Sequence, residues 1–244
     1  MTISVILPTL DEAQTLPQTL ARTLALDFDE VLVVDGGSRD RTQDIVRELQ
    51  APGCPSHVDG SEPDARNRTL RLLTAPPGRA AQMNAGASAG RGEVLLFLHA
   101  DTQLPPDAKP AILQALREPA CVGGRFDLRF ERDKGLAWLI SRLINLRSRS
   151  TGIATGDQAL FVRREVFERM GGFTAIPIME DVDFSRRLKR MGRIAALRAQ
   201  VVTSYRRWES CGPIRTILLM WSLRLLYWLG VSPQRLSRLY VTVR

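Results

Sequence analysis

The chain has 244 residues, of which 44% are hydrophobic and 25% charged, with a formal net charge of +8. This is enough apolar material for a proper core, which excludes a disordered polymer, and the length suits one large α/β domain. Its three cysteines, Cys54, Cys121 and Cys211, are few and irregularly spaced, so neither a disulfide framework nor a zinc site is indicated and a reducing compartment is expected.

The charge is unevenly placed. From Arg186 onward thirteen arginines and lysines face one acid, Glu209, so that segment carries +12 and the remainder −4. Such asymmetry points to an anionic surface as partner, phospholipid headgroups or nucleic acid, or to a solvated basic face. Residues 1–8 hold no basic leader and too short an apolar run for a signal peptide, so a cytoplasmic protein is expected.

Ile3 to Leu7 reads as a strand stopped by Pro8, followed by a helix that opens on Asp11 and Glu12 and continues through Leu16, Leu20 and Leu24. Glu30 to Val34 repeats the strand pattern and ends in Asp35-Gly36-Gly37-Ser38, after which Asp40, Thr42 and Asp44 open a second helix. This β-α-β-α rhythm predicts a parallel sheet with helices on both faces. Asp35 falls at a strand's carboxyl end, where such sheets bind ligands, and the glycines allow close backbone approach; the same tetrapeptide also reads as a plain tight turn. No Gly-x-Gly-x-x-Gly follows either strand and no phosphate loop occurs, so dinucleotide and ordinary ATPase chemistry are not signalled.

Residues 51–68 are rich in Pro, Gly and charge and read as a surface loop. Gly78 to Gly86 reads as a helix start in which Arg79 can pair with a diphosphate, while the alanines suit close packing. The apolar run from Val94 to Thr102 ends abruptly in His99-Ala100-Asp101, with Pro105 and Pro106 beyond. It predicts a strand buried on both faces, with Asp101 at its end, where a carboxylate can hold a hard divalent cation against a substrate phosphate.

Further on, the pattern predicts a short helix over Ala111–Leu116, a β-like stretch over Cys121–Phe130, and an amphipathic helix over Leu136–Leu146 with Trp138 and the nearby Arg142, Arg147 and Arg149. Gly156-Asp157-Gln158 then stands before an apolar run, as an acceptor-lining segment or a simple loop. Glu180-Asp181 opens a helix, placed there by the helix dipole or aimed at the same pocket as Asp101. Ile214 to Gly230 is apolar but interrupted by Arg215 and Arg224. Spanning a bilayer takes roughly twenty apolar residues and a central Arg costs about 2.5 kcal/mol or more, so an interfacial helix is expected in place of a spanning one. The competing expectation is a helix laid on the preceding α/β domain or on a twin subunit in a homodimer. Aromatics at 208, 221, 227 and 228 sit among aliphatics, which speaks against nucleic acid.

Five fragments in order resemble the family 2 glycosyltransferases: Val-Ile-Leu-Pro-Thr-Leu-Asp-Glu at 5–12, Val-Asp-Gly-Gly-Ser-x-Asp-x-Thr at 34–42, Gly-Arg-x-x-Gln-x-Asn-x-Gly at 78–86, His-Ala-Asp at 99–101, and Gly-Gly-Phe at 171–173 followed by Glu180-Asp181. The tail, with Arg206-Arg207-Trp208-Glu209, Gly230-Val231-Ser232-Pro233 and Tyr240, resembles a bacterial branch associated with radical-SAM and selenodomain genes. The resemblance implies a GT-A fold, Rossmann-like, with a mostly parallel central sheet. It implies a catalytic domain over 1–205, with a nucleotide-binding half of about 1–102 and an acceptor half of about 103–205, and a basic, apolar helical extension over 206–244.

By the same resemblance Pro8, Thr9 and Glu12 hold the nucleotide, Asp35 and Gly36 the base, and Arg79 the base or diphosphate. His99, Ala100 and Asp101 occupy the Asp-x-Asp position, making Asp101 the ligand of Mg2+ or Mn2+. His99 departs from the usual first Asp; it still offers one hydrogen bond, or ligates a softer metal such as manganese. Asp181 is implied as general base, with Glu180 orienting it or binding acceptor, an assignment that adjacency leaves reversible. The implied activity is metal-dependent, inverting transfer from a nucleoside-diphosphate sugar, a UDP-sugar favoured, to an acceptor hydroxyl. The acceptor is a lipid or small hydrophobic molecule, met at the inner face of the plasma membrane through 206–244. Two other readings stand beside it: a sugar-nucleotide pyrophosphorylase, whose glycine-rich basic loop residues 8–12 do not match, and a non-catalytic membrane-binding protein that retains the fold.

Overall fold

The computed structural model describes residues 1–50 and 69–241; the loop expected at 51–68, with Cys54, lies outside the described residues. The first half alternates as expected: β1 (Ile3–Thr9), α1 (Leu16–Leu24), β2 (Glu30–Asp35), α2 (Thr42–Gln50), β3 (Thr69–Thr74), α3 (Arg79–Ala89) and β4 (Val94–Phe97). The four strands lie in the order β3-β2-β1-β4, all parallel, because each helix carries the chain back over a sheet face. β1, β2 and β4 are buried along almost their whole length, which is why they read as continuous apolar runs.

The second half comprises β5 (Thr102–Gln103), α4 (Ala108–Ala115), β6 (Cys121–Phe130), α5 (Gly135–Thr151), a 3-10 turn at Gly156–Gln158, β7 (Leu160–Arg163), α6 (Arg164–Arg169), α7 (Glu180–Leu188) and β8 (Arg193–Thr203). The sheet continues past β4 as β7-β6-β8-β5. β7 runs antiparallel to β4 and β6, β8 is parallel to β6, and β5 is antiparallel to β8. The helices α8 (Arg206–Cys211), α9 (Pro213–Trp228) and α10 (Pro233–Val241) follow. This is the α/β arrangement expected from the sequence, mixed in its second half.

Three details differ from expectation. Helix α1 starts at Leu16, four residues after Glu12, because Asp11 takes φ 55° and its carboxylate accepts the Arg39 N–H at 2.7 Å, while Asp40 accepts the Ala13 N–H at 3.0 Å. Asp11 thus laces two loops together and does not open a helix, whereas Asp40 also accepts the Thr42 N–H at 2.9 Å at the start of α2, as expected. The run 94–102 is broken: β4 stops at Phe97, and Thr102-Gln103 pairs with β8 on the far side, leaving Asp101 in the turn between. β3 and β8 were not legible, since β3 is an edge strand and β8 exposes many of its residues, so neither needs a clear apolar pattern.

The segment 78–86 stitches the molecule together. The Gln82 amide donates to the Thr9 and Val34 carbonyls at 2.6 and 2.8 Å, joining the ends of β1 and β2. Asn84 exchanges two hydrogen bonds of 2.9 Å with the Phe173 backbone, fixing the turn before α7. Below that turn Phe97, Phe167, Phe173 and Phe184 form one aromatic cluster, with Phe173 and Phe184 stacked at 4.3 Å. It anchors α7 against the end of β4.

The C-terminal helices pack onto this domain. Leu223 of α9 and Leu236 of α10 share a buried cluster with Met179, the residue before α7, and Ile217 joins the main core. The outer face of α9 stays apolar and exposed, in the row Ile214, Leu218, Trp221, Leu225 and Trp228. α5 presents a second exposed row, Leu136, Leu139, Leu143 and Leu146. Among the described residues no helix is long and apolar enough to cross a membrane.

The close approach of α3 to the sheet depends on Gly86, where a Cβ would lie 2.5 Å from Ile6 Cγ2 and 3.0 Å from Val34 Cγ2. Gly86→Ala is expected to force the helix outward at a cost of about 1–3 kcal/mol, read as a lower midpoint in thermal unfolding; an unchanged midpoint would contradict this packing.

Candidate active site

The site builds from the carboxyl ends of β1, β2 and β4. Thr9 and Asp35 end their strands side by side in register. Asp35 is fully buried: one carboxylate oxygen accepts the Gly37 and Ser38 N–H groups, each at 2.9 Å, and the Gln43 amide at 2.7 Å, while the other takes the Ser38 hydroxyl. Burial alone would raise its pKa, but these hydrogen bonds outweigh it and hold the carboxyl below its usual range. Asp35 therefore braces the turn that follows it. A Cβ at Gly36 would sit 2.9 Å from the Gln82 amide nitrogen and would displace that amide.

The other first-half candidates are placed as follows. Thr9 turns its hydroxyl inward toward the Val34 carbonyl at 3.4 Å, and Pro8 is partly buried within β1. Glu12 accepts the Thr15 hydroxyl at 2.7 Å and lies 3.9 Å from Arg206, which ties α8 to this loop.

At the end of β4 the turn carrying Asp101 is held on both sides. The Ala100 carbonyl accepts the Thr19 hydroxyl at 2.7 Å, and the Asp101 carbonyl accepts the Ser204 N–H at 3.2 Å. The Asp101 carboxylate is partly exposed, with the Thr102 hydroxyl 3.4 Å away. The His99 ring lies against Gly156, leaving no room for a side chain there. Gly156 in turn donates its N–H to Asp181 at 2.9 Å, so the β4 turn, the 3-10 turn and α7 meet in one chain of contacts.

Arg79, at the start of α3, stands among three carboxylates. Its guanidinium is 3.9 Å from Glu180, with side-chain exposures of 44% and 8%. Burial works against its charge, but Glu180, Tyr240, Asp181 and Asp101 together raise its pKa. Glu180 is pushed up to about 7, first by burial and then by the neighbouring Asp181 charge, against the pull of Arg79. Met179 and Ala159 adopt left-handed φ of 69° and 47°, directly before Glu180 and directly after Gln158. Such backbone strain in residues with side chains costs about 1–3 kcal/mol each and persists only where surroundings impose it.

Not every expected residue faces this space. Gln158 is fully buried; its amide oxygen accepts the Thr155 N–H at 3.2 Å and its nitrogen reaches the Phe126 carbonyl at 3.3 Å, so it closes the 3-10 turn. Asp157 has one carboxylate oxygen buried without a partner. Two residues the sequence did not single out as functional come close: Tyr240 from α10, facing Arg79, and Arg147 from α5, whose charge is coupled to Asp157 and Asp181. No spacing rule could have found them, since both arrive through long-range packing. Among the described residues there is no cluster of three or more metal-ligating side chains, and Asp101 is a single hard oxygen donor. One carboxylate completed by substrate phosphates is how magnesium is commonly bound, so Asp101 fits a cation that arrives with a diphosphate.

The profile of "Glycosyl transferase family 2" matches residues 4–171. Among curated proteins the chain is 33% identical over 179 residues to the undecaprenyl-phosphate 4-deoxy-4-formamido-L-arabinose transferase of Pseudomonas aeruginosa (strain LESB58), covering 69% of this chain and 49% of that protein. The protein of the same name from Erwinia tasmaniensis is 32% identical over 168 residues, covering 66% of this chain and 48% of the relative. The chain thus spans about half the length of these relatives. Among solved structures, S. aureus TarS in complex with UDP-GlcNAc superposes with a TM-score of 0.61 at 19% identity, over 84% of this chain and 58% of that one. The mannosyltransferase PcManGT from Pyrobaculum calidifontis, in complex with GDP-Man and Mn2+, gives 0.62 at 23% identity, over 82% and 56%. These likenesses show a shared fold, the GT-A arrangement expected from the sequence. With the profile covering more than half of its length, the chain belongs to glycosyl transferase family 2.

Proposed function

We propose that the protein transfers a sugar from a nucleoside-diphosphate sugar, a UDP-sugar in first place, to an acceptor oxygen on a lipid or other hydrophobic molecule, with inversion and with a divalent cation. The observation that carries this is the convergence of Arg79, Asp101, Glu180 and Asp181 at the strand ends of a family 2 fold. The solved neighbours named above bind UDP-GlcNAc, and GDP-Man with Mn2+, at such folds.

In this reading the half up to about residue 102 holds the nucleotide. Pro8, Thr9, Glu12 and the Asp35-Gly36 turn form its floor, and Arg79 pairs with the diphosphate. His99 and Ala100 position the turn from which Asp101 holds Mg2+ or Mn2+ together with the phosphates. When bound, the ion supplies positive charge against the charge that develops on the departing diphosphate. In the half from about 103 to 205, Gly156 and Asp157 border the acceptor, with Gln158 supporting their turn. Asp181, oriented by the Gly156 N–H, takes the acceptor proton as the acceptor oxygen bonds to the anomeric carbon and the nucleoside diphosphate leaves from the opposite face. Glu180 keeps Asp181 and Arg79 in place. The tail around Arg206, Trp208 and Tyr240 supports a place in the branch associated with radical-SAM and selenodomain genes.

The hydrophobic acceptor is supported by the exposed apolar rows of α5 and α9 and their arginine fringe, Arg142, Arg215 and Arg224. Arg142 lies 5.1 Å from the ring of the exposed Trp138. Such a surface suits peripheral attachment to an anionic membrane, each arginine near the surface contributing about 1 kcal/mol. The named relatives transfer to undecaprenyl phosphate, and we carry a lipid-linked acceptor to this chain on that ground.

Titration calorimetry with UDP, GDP, dTDP and CMP is expected to give Mn2+-dependent binding of one nucleotide, UDP foremost, lost in Asp101→Ala; binding of none would overturn the donor assignment. Asp181→Asn is expected to lower transfer by about 10²–10⁴-fold while sparing nucleotide binding, and full activity would remove it as base. Glu180 has a raised folded pKa, so its stabilising neutral form is complete below about pH 4.5 and lost as pH rises through about 7. Between those values the wild type should lose on the order of 3 kcal/mol relative to Glu180→Gln in pH-dependent unfolding; parallel stability curves would refute the raised pKa. Flotation with phosphatidylglycerol vesicles should recover the protein, and with phosphatidylcholine vesicles leave it behind. Trp221→Ser with Trp228→Ser should abolish the recovery, whereas a dimer in sedimentation that ignores vesicles would assign the rows to a second copy.

A further inference from the structure

We infer that His99 is a positioning residue for Asp181: its imidazole ring stands where a side chain on residue 156 would be, and so holds the Gly156 N–H on the Asp181 carboxylate. The inference deepens the transferase reading and rests on it for the role of Asp181 as base, though not for the contact itself.

The ring and the glycine are matched in shape. A Cβ built at Gly156 would lie 2.3 Å from His99 Nε2, 2.5 Å from Cε1 and 3.5 Å from Cδ2, so the three atoms nearest to it belong to one ring. The Gly156 backbone is not left-handed. What excludes a side chain at 156 is therefore the ring and not the local conformation.

The backbone that carries the ring is held on every side. The Leu98 N–H donates to the Ile6 carbonyl at 2.9 Å, the Thr102 N–H returns to the His99 carbonyl at 3.1 Å, and the Ala100 carbonyl accepts the Thr19 hydroxyl at 2.7 Å. His99 is thus fixed to β1, to its own turn and to α1, and its ring is a firm wall for whatever packs on it.

Across that wall, Asp181 accepts two backbone N–H groups. Val182 donates to Oδ1 at 2.7 Å and Gly156 to Oδ2 at 2.9 Å. The first moves with α7 and says nothing about where α7 stands. Among the described residues only the second reaches this carboxylate from another element. One helical turn further on, the Ser185 hydroxyl accepts the Ala154 N–H at 3.1 Å, and Gln158 accepts the Thr155 N–H at 3.2 Å. These bonds fasten the segment on either side of Gly156. Glycine has more conformational freedom than any other residue, so an N–H that must stay aimed has to be confined by its neighbours. The His99 ring fills the space beside the Gly156 Cα and supplies that confinement.

His99 and Asp101 are two residues apart on one turn. That turn then carries both the carboxylate assigned to the cation and the ring that sets the base, so the two halves of the site keep register through one packing contact and one hydrogen bond. Misplacing a reacting group by about 1 Å costs on the order of 10²-fold in rate. The contribution of His99 is accordingly expected in turnover more than in nucleotide binding.

The test uses the full chain grown with isotope-labelled glycine, in which the Gly156 amide signal is identified by its absence from Gly156→Ala. In the wild type that amide should exchange with solvent at least about tenfold more slowly than in His99→Ala, and Asp181→Ala should release it to the same extent. With UDP-glucose and UDP-GlcNAc as donors, His99→Ala should lower kcat for UDP release by about 10²-fold, while UDP affinity in Mn2+ falls by no more than about threefold. His99→Gln, whose amide nitrogen comes near the place of Nε2, should recover part of kcat, and it keeps the test open if His99→Ala does not fold. The two positions should be non-additive. Gly156→Ala should lower the thermal midpoint of the wild type by about 2–10 °C, and should leave that of His99→Ala unchanged or higher, because the ring it collides with is gone. A Gly156 amide still protected in His99→Ala, additive losses in the double variant, or UDP affinity falling as far as kcat would overturn the inference, the last by making His99 a donor contact. A wild type that neither binds nor turns over a UDP-sugar would overturn the transferase reading; amide exchange and the double variant then decide the hold on Asp181 by themselves.

Discussion

The Gln82 amide, by donating at once to the Thr9 carbonyl that ends β1 and to the Val34 carbonyl one residue before the end of β2, sets the geometry on which the rest of the site depends. Buried carbonyls near the ends of a parallel ladder must find donors, and the Thr9 carbonyl accepts the Gly36 N–H at 2.9 Å as well as the Gln82 amide. Supplying both from one side chain locks the strand ends to the first turn of α3. The amide also fills the space beside Gly36, so a side chain there would have to displace it from its two carbonyls. Arg79, one turn before Gln82, stands 3.9 Å from Glu180 at the start of α7, and Asn84, two residues after Gln82, clamps the turn that leads into α7.

The charges follow from that frame. Three carboxylates from two distant parts of the chain, Asp101 after β4 and Glu180 with Asp181 at the start of α7, are gathered around one arginine. Burying adjacent acids is unfavourable, and Glu180 shows the result in its raised pKa. Left-handed Met179 adds strain at the same point. Buried like charge and strain together are tolerated where the surroundings hold them, here the stacked phenylalanines beneath α7 and the leucines of α9 and α10 packed on Met179. This is the pattern by which stability is given up for a preorganised site.

The C-terminal helices answer a question the sequence posed in two forms. The expectation of an interfacial helix and that of a helix packed on the domain are not exclusive, because α9 is apolar on both sides. Thr216, Leu223 and Ile217 face inward, whereas Ile214, Leu218, Trp221, Leu225 and Trp228 face out. A helix apolar all round has little amphipathic signal, so periodicity could not say which face meets the protein. The same arrangement brings Arg224 within electrostatic reach of Arg147 and Tyr240 within reach of Arg79, which ties the tail to the site it covers.

Local chemistry was legible from residues alone. The strands β1, β2 and β4 announce themselves because burial on both faces demands unbroken apolar runs, and Asp35, Asp101 and Asp181 stand where strand ends and a helix start place them. The motifs were legible too, but their division of labour was not: Gln82, Asn84 and Gln158 read as ligand contacts or passed unremarked, and they serve as clamps. β3 and β8 escaped because edge and half-exposed strands carry no strong period. The sequence by itself determined the α/β class and the strand ends where polar residues gather, since these follow from periodicity and residue type over short spans, and the resemblance of five motif fragments pointed to the family. Only the tertiary structure decided which polar groups are spent on backbone carbonyls and which, like Nε and Nη2 of Arg147, are buried without a partner, because hydrogen-bond satisfaction depends on what distant segments bring into contact.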